Sequence, residues 1–195
     1  ISGHPLMKYE AHLRSFSNFY LGQKESPLIG KQVRVCGLIT SVRTRLDKKE
    51  QTIAFVMIED FTGKAECIFW SEAYKKFAQY LIEDTVVMVK GKSELNADAL
   101  KIVVEDVVPI EEAAAKLAKG YHLSLDINTV SNEDIKKVKE LCNDTSKDAK
   151  IMFSINEAGV RRSQFYAQAR LPVRPETTSH LAKLFGTRNI RFLTD

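Results

Sequence analysis

From Gln32 onward, apolar and polar residues alternate with a period of two through Val33, Val35, Gly37 and Ile39, and the phase breaks near Val42. Strict alternation predicts a half-buried strand, here running from Gln32 to Arg45. Its length, with glycine in its interior, predicts a strand that bends or carries a bulge at Gly37. The polar run Asp47-Lys48-Lys49-Glu50-Gln51 follows, then a second strand from Thr52 to Glu59. Asp60-Phe61-Thr62-Gly63 supplies a turn, and Lys64 to Trp70 a third strand. Trp70, Tyr74, Phe77 and Leu81 then recur at helical spacing, so a short helix capped by Ser71 is predicted from Glu72 to about Leu81. On that reading Trp70 and Tyr74 pack the helix against the strands. Two β-branched runs, Thr85 to Glu94 and Leu100 to Val108, are joined at Asn96-Ala97-Asp98 and read as a closing hairpin that Pro109 terminates.

Three strands, a helix and two strands are the element order of the oligonucleotide-binding, or OB, fold, a five-stranded barrel whose second and third strands usually carry the ligand. The pattern then changes. Residues 110–120 form an Ala-rich helical connector, and alternation returns from His122 to Ile127. Ser131 and Asp134 have the spacing of a capping box ahead of a helix bearing Ile135, Val138, Leu141 and Cys142. Strands follow at Lys150 to Ile155 and, after the turn Asn156 to Gly159, at Gln164 to Leu171. A helix from Glu176 to Phe185 is closed by Gly186, and Asn189 to Leu193 is a last strand. The order βαββαβ fits a split βαβ sandwich of ferredoxin-like type. The expected organisation is a lead-in at 1–27, an OB-fold domain at 28–109, the connector at 110–120 and a small α+β domain at 121–195.

Charge is segregated along this frame. The net charge of the 195 residues is only +4, but Lys31, Arg34, Arg43, Arg45, Lys48 and Lys49 face only Asp47 and Glu50 within residues 31–52. Residues 53–149 are net acidic, whereas 150–195 carry eight cations against three anions. Arg43 and Arg45 leave one face of a strand, and Lys48 and Lys49 follow in the adjoining loop. Arginine grips phosphate bidentately and lysine acts as a mobile point charge, a combination suited to sequence-independent binding of single strands. Phe55, opposite Ala54, Val56 and Ile58, is the candidate for stacking a base, although Glu66 on the corresponding face of the third strand would repel phosphate. The alternative is a solvated loop with ordinary surface charge. In the C-terminal region Arg161, Arg162, Arg170, Arg174, Arg188 and Arg191 suit either a protein partner with an acidic face or a basic solvated surface.

Cys36, Cys67 and Cys142 are scattered and unpaired in sequence, and His4, His12, His122 and His180 have no ligand spacing, so neither metal nor cofactor is expected. There is no long apolar segment and no signal peptide, which argues against a membrane partner and for an intracellular protein. Glu59-Asp60, Glu105-Asp106 and Glu111-Glu112 fall at a turn, a strand end and a helix start, read as solvated positions. No phosphate-cradling glycine loop or nucleophile motif occurs, so no catalytic residue is assigned.

Several segments carry a resemblance. Ile1-Ser2-Gly3-His4-Pro5-Leu6 with Tyr9, then Val35 to Arg45, then Ala54 to Gly63 are similar to the C-terminal region of the alpha subunit of bacterial DNA polymerase III. The abrupt start suggests a piece of a longer chain, and Phe192 to Asp195 resembles a natural end. The resemblance implies a DNA-directed DNA polymerase as parent, a nucleotidyltransferase whose catalytic carboxylates lie outside this portion. It also implies that the OB barrel binds single-stranded template DNA and that the C-terminal domain docks the clamp-loader tau subunit. Other polymerase III holoenzyme subunits would be met through the parent chain, in the bacterial cytoplasm at the nucleoid. The rival reading is a pure protein-interaction module of the replisome with no intrinsic DNA binding. A third, an anticodon-binding domain of a tRNA synthetase, would require bulky stacking aromatics on the groove strands.

Overall fold

The computed structural model describes residues 5–96, 99–142 and 149–194. Ile1 to His4 of the resembling lead-in, Ala97-Asp98 of the predicted hairpin turn and Asp195 lie outside the described residues. By contacts the chain divides into one unit of Ile1–Tyr9 and Phe16–Ile110 and another of Glu10–Ser15 and Glu111–Asp195.

In the first unit β1 (Gln32–Leu46), β2 (Thr52–Glu59), β3 (Lys64–Phe69), β4 (Val86–Asn96) and β5 (Ala99–Pro109) close a barrel in the order β1-β2-β3-β5-β4. Closure depends on β1. Its first half, Gln32 to Leu38, pairs with β4, and its second half, Leu38 to Leu46, pairs with β2, so a single bent strand belongs to both sides. The bend has two components. At Gly37 a Cβ would stand 2.9 Å from the Glu59 carbonyl oxygen, so only glycine lets the strands approach there. The bulge, expected at Gly37, lies instead between Ile39 and Ser41. Parallel pairing of β3 with β5 completes the ring.

Burial alternates as the sequence does from Ala54 to Glu59 and along β3, whereas Val35 to Ile39 of β1 are all buried. Val33, Val35, Ile39, Ala54, Val56, Ile58, Ala65, Cys67 and Phe69 all point into the barrel core. Phe19 and Leu21, which precede the first strand, join the same core, and Leu28 and Ile29 pack against it. The loop that carries them is tied down by Asp60, which is buried. Its carboxylate accepts the Leu21 N–H at 2.8 Å on Oδ2 and the Thr62 and Gly63 N–H groups at 2.7 and 2.9 Å on Oδ1. Asp60 is therefore a structural knot where the sequence suggested a solvated turn. Burial pushes the Cys36 thiol up to about 12, and the Cys67 thiol is raised for the same reason, so both behave as core side chains.

A first helix, α1 (Glu10–Phe16), precedes the strands, and the helix of the barrel, α2, spans Ser71–Phe77 before a 3-10 turn at Ala78–Tyr80. Ser71 does not cap it. The cap position is Trp70, which makes no side-chain cap bond and is 51% exposed rather than packed against the barrel. Phe77 and Leu81 enter the core and Tyr74 packs on it, which suffices to seat the helix.

The second unit contains α3 (Ile110–Leu117, from Glu111 onward), β6 (Gly120–Asp126), α4 (Asn132–Leu141), β7 (Ala149–Glu157), β8 (Val160–Leu171), α5 (Pro175–Phe185) and β9 (Ile190–Leu193). The predicted capping box is present: Ser131 Oγ accepts the Asp134 N–H, and the Asp134 carboxylate accepts the Ser131 N–H. The βαββαβ order holds, but the ferredoxin-like arrangement does not. The sheet order is β8-β7-β6-β9, with β6 and β7 adjacent and parallel, so no strand splits the βαβ unit. The reason lies at Ala158-Gly159, whose φ angles of 50° and 78° make a two-residue hairpin that folds β8 back along the outer edge of β7. Tyr121, Leu123 and Leu125 face the core side of β6, where Tyr121 Oη lies 2.9 Å from Thr178 Oγ1 of α5. His122, Ser124 and Asp126 face the other way. Among the described residues no helix is long and apolar enough to cross a membrane.

Candidate nucleic-acid interface

Register brings Arg43 and Phe55 together. Arg43 of β1 stands directly across from Phe55 of β2, so the two share the outer face of the barrel wall. Arg45, two residues on, lays its guanidinium over the Phe55 ring at 4.7 Å from the centroid. Stacking holds a long, rotamer-rich side chain in one place and leaves its N–H groups directed outward. Phe55 is half-buried under this cover, and β2 needs it outward because Ala54, Val56 and Ile58 already fill the interior face.

Lys48 and Lys49 occupy a tight loop. The Asp47 carboxylate accepts the Lys49 and Gln51 N–H groups at 2.7 and 2.9 Å, and the Asp47 N–H donates to the Gln51 carbonyl at 2.8 Å. Those amide bonds, that from Gln51 foremost, hold the Asp47 carboxyl below its usual range. The backbone beneath the lysines is thus fixed while both side chains are exposed. Among the described residues neither lysine has a carboxylate at ion-pair distance.

Two residues that the sequence reading set aside, or did not name, complete the wall. Glu66 of β3, expected to repel phosphate, lies 3.5 Å from Arg43 and 3.1 Å from Lys101 of β5, so its charge is met by two cations. Lys101 arrives through the parallel β3-β5 pairing, in register with Glu66. Ile68 lies across from Phe55, and Met57 across from Glu66, giving the face an apolar floor between its charges. The only signal for them in sequence was a pair of apolar residues on the polar phase of β2 and β3. Arg43 itself remains 70% exposed, so the Glu66 contact leaves it open to an incoming anion.

Residues 33–110 match the family model described as OB-fold nucleic acid binding domain. DNA polymerase III subunit alpha of Borreliella burgdorferi is 29% identical over 164 residues, which are 82% of this chain and 14% of that protein. The protein of the same name from Saccharopolyspora erythraea is 31% identical over 126 residues, 62% of this chain and 10% of its own. That from Pseudomonas aeruginosa is 27% identical over 171 residues, 81% of this chain and 14% of its own. Among solved structures, the second single-stranded DNA binding protein of Mycobacterium smegmatis has a TM-score of 0.36 at 17% identity, covering 40% of this chain and 86% of that one. The chain spans less than a sixth of the length of each of these curated relatives. Over most of its length the chain is similar to bacterial DNA polymerase III subunit alpha, and its residues 33–110, which form the barrel, match the OB-fold nucleic acid binding model.

Proposed function

We propose that the barrel holds single-stranded template DNA for a bacterial replicative polymerase of the DNA polymerase III alpha kind. Arg43, Arg45, Lys48 and Lys49 contact successive phosphates, and Phe55 offers the stacking surface once the Arg45 guanidinium that lies over its ring turns to a phosphate. The observation that carries this reading is the Arg45–Phe55 stack at 4.7 Å beside the exposed Arg43, which joins a π-face to oriented guanidinium groups on one wall. In the same reading the portion works in the cytoplasm at the nucleoid, and other holoenzyme subunits are met through the rest of the polymerase.

The second unit, on this reading, docks the clamp-loader tau subunit through β8. Val160, Phe165 and Tyr166 of that strand are large and exposed, Tyr166 to 62%, and β8 is an edge of its sheet. An edge strand with exposed aromatic side chains offers both backbone pairing and apolar area to a partner.

The test is binding of fluorescent oligothymidylate and of duplex DNA across a salt series. Four phosphate contacts on a single strand predict a log–log salt slope of about −3. Changing Arg43, Arg45, Lys48 and Lys49 together to alanine should flatten that slope toward zero. An unchanged slope would overturn the barrel assignment, and a chain that binds tau while ignoring DNA would make it a protein-docking module.

A further inference from the structure

On the face of the second unit's sheet opposite Tyr121 lies a cavity of about 360 Å³ whose lining, among the described residues, includes four arginines and no carboxylate. Its floor is His122 and Asn156. His122 Nε2 lies 2.7 Å from Ser154 Oγ, and the Asn156 amide donates to Ser124 Oγ at 2.6 Å. The strand pairing builds the walls: Arg191 of β9 is in register with His122, and Arg161 of β8 with Asn156. Arg14 and Arg188 close one end, where Arg14 Nη1 donates to the Arg188 carbonyl at 2.6 Å.

The charge of this ring is barely compensated from within. Arg188 meets Glu10 at 3.5 Å with a side chain that is 86% exposed, and Arg161 donates to the neutral Gln164. Arg191 has no carboxylate partner at ion-pair distance among the described residues. Four guanidinium groups facing one concavity repel one another, and an entering anion would relieve that repulsion.

We propose that this pocket binds a phosphate group, supplied either by a free di- or triphosphate or by the sugar-phosphate chain of a nucleic acid. A single carboxylate would leave most of the positive charge unmet, whereas a phosphoryl group offers several equivalent oxygens that several forked donors can share. The cavity is wide enough for a diphosphate. Ser154, Ser124 and Asn156 orient the floor, and His122 reports on it. Burial, followed by the fields of Arg191 and Arg161, holds the His122 ring below its ordinary value, so an entering anion should raise it. The assignment is independent of the barrel.

The test is nuclear magnetic resonance on the isotope-labelled chain, following the His122 ring during additions of pyrophosphate at constant ionic strength. Saturable shifts and a raised His122 pKa are expected, with affinity falling at least tenfold in Arg161→Gln and in Arg191→Gln. Both side chains are exposed, so the remaining amide spectrum should be unchanged. Oligothymidylate with a 5′-phosphate, compared with the 5′-hydroxyl form, separates the sources. Response to the phosphorylated form alone indicates a strand end, equal response to both indicates the internal backbone, and response to pyrophosphate alone indicates a free phosphate. Shifts that acetate reproduces, shifts that do not saturate, or unchanged pyrophosphate affinity in both variants would overturn the proposal. Alanine at Arg43 and Arg45 should leave the His122 response intact.

Discussion

Phe55 is held between two requirements: the barrel core takes its neighbours Ala54 and Val56, and Arg45 takes its outer face. Replacing it with alanine should cost little stability, because the side chain lies outside the core, yet weaken single-strand binding by roughly tenfold if one base stacks there. Fluorescence anisotropy together with a urea melt separates the two effects. Asp60 presents the opposite balance. Removing a buried carboxylate that accepts three backbone N–H groups leaves those donors unmet, so Asp60→Ala should lose about 3 kcal/mol of barrel stability. Trp70, the chain's one tryptophan, sits in that unit and reports the unfolding. His12, in the second unit, is pulled down to about 4, chiefly by burial, against 6.5 for the free ring, with Glu111 opposing. Its neutral form is the one the fold accepts, so the contribution is complete above pH 6.5 and is lost as pH falls toward 4. A drop of about 2 kcal/mol by pH 5 should appear in amide exchange of β9 and vanish in His12→Phe.

At the scale of elements, the strands and helices follow from local pattern, and their junctions follow from close approach. The period-two runs of β1 to β5 and the capping box at Ser131 were legible because each depends only on neighbours in sequence. The bulge near Thr40 and the position of β8 were not, because each depends on a strand elsewhere in the fold. Gly91 illustrates the dependence. It lies at the irregular register of β4 on β5, and a Cβ there would fall 2.2 Å from the Val103 carbonyl oxygen. Gly91→Ala should therefore destabilise the barrel by about 2 kcal/mol or more, measured by chemical denaturation. A cost under half of that would show that β5 can shift aside.

For the whole molecule, the amino-acid sequence by itself determined the order of the elements from β1 to β9, the segregation of basic residues and the resemblance to a replicative polymerase subunit. All three are properties of residues close in the chain, where period and composition act directly. Tertiary structure alone decided which charges meet. Glu66 is neutralised by Arg43 and Lys101 only because β3 pairs with β5 across the closed barrel, and Arg45 covers Phe55 only because β1 and β2 lie in that register. In the second unit, Arg14, Arg161, Arg188 and Arg191 are spread over nearly the whole chain and become one pocket through the order β8-β7-β6-β9. Electrostatic interaction depends on distance in space, and the sequence carries that distance only through a register that packing selects.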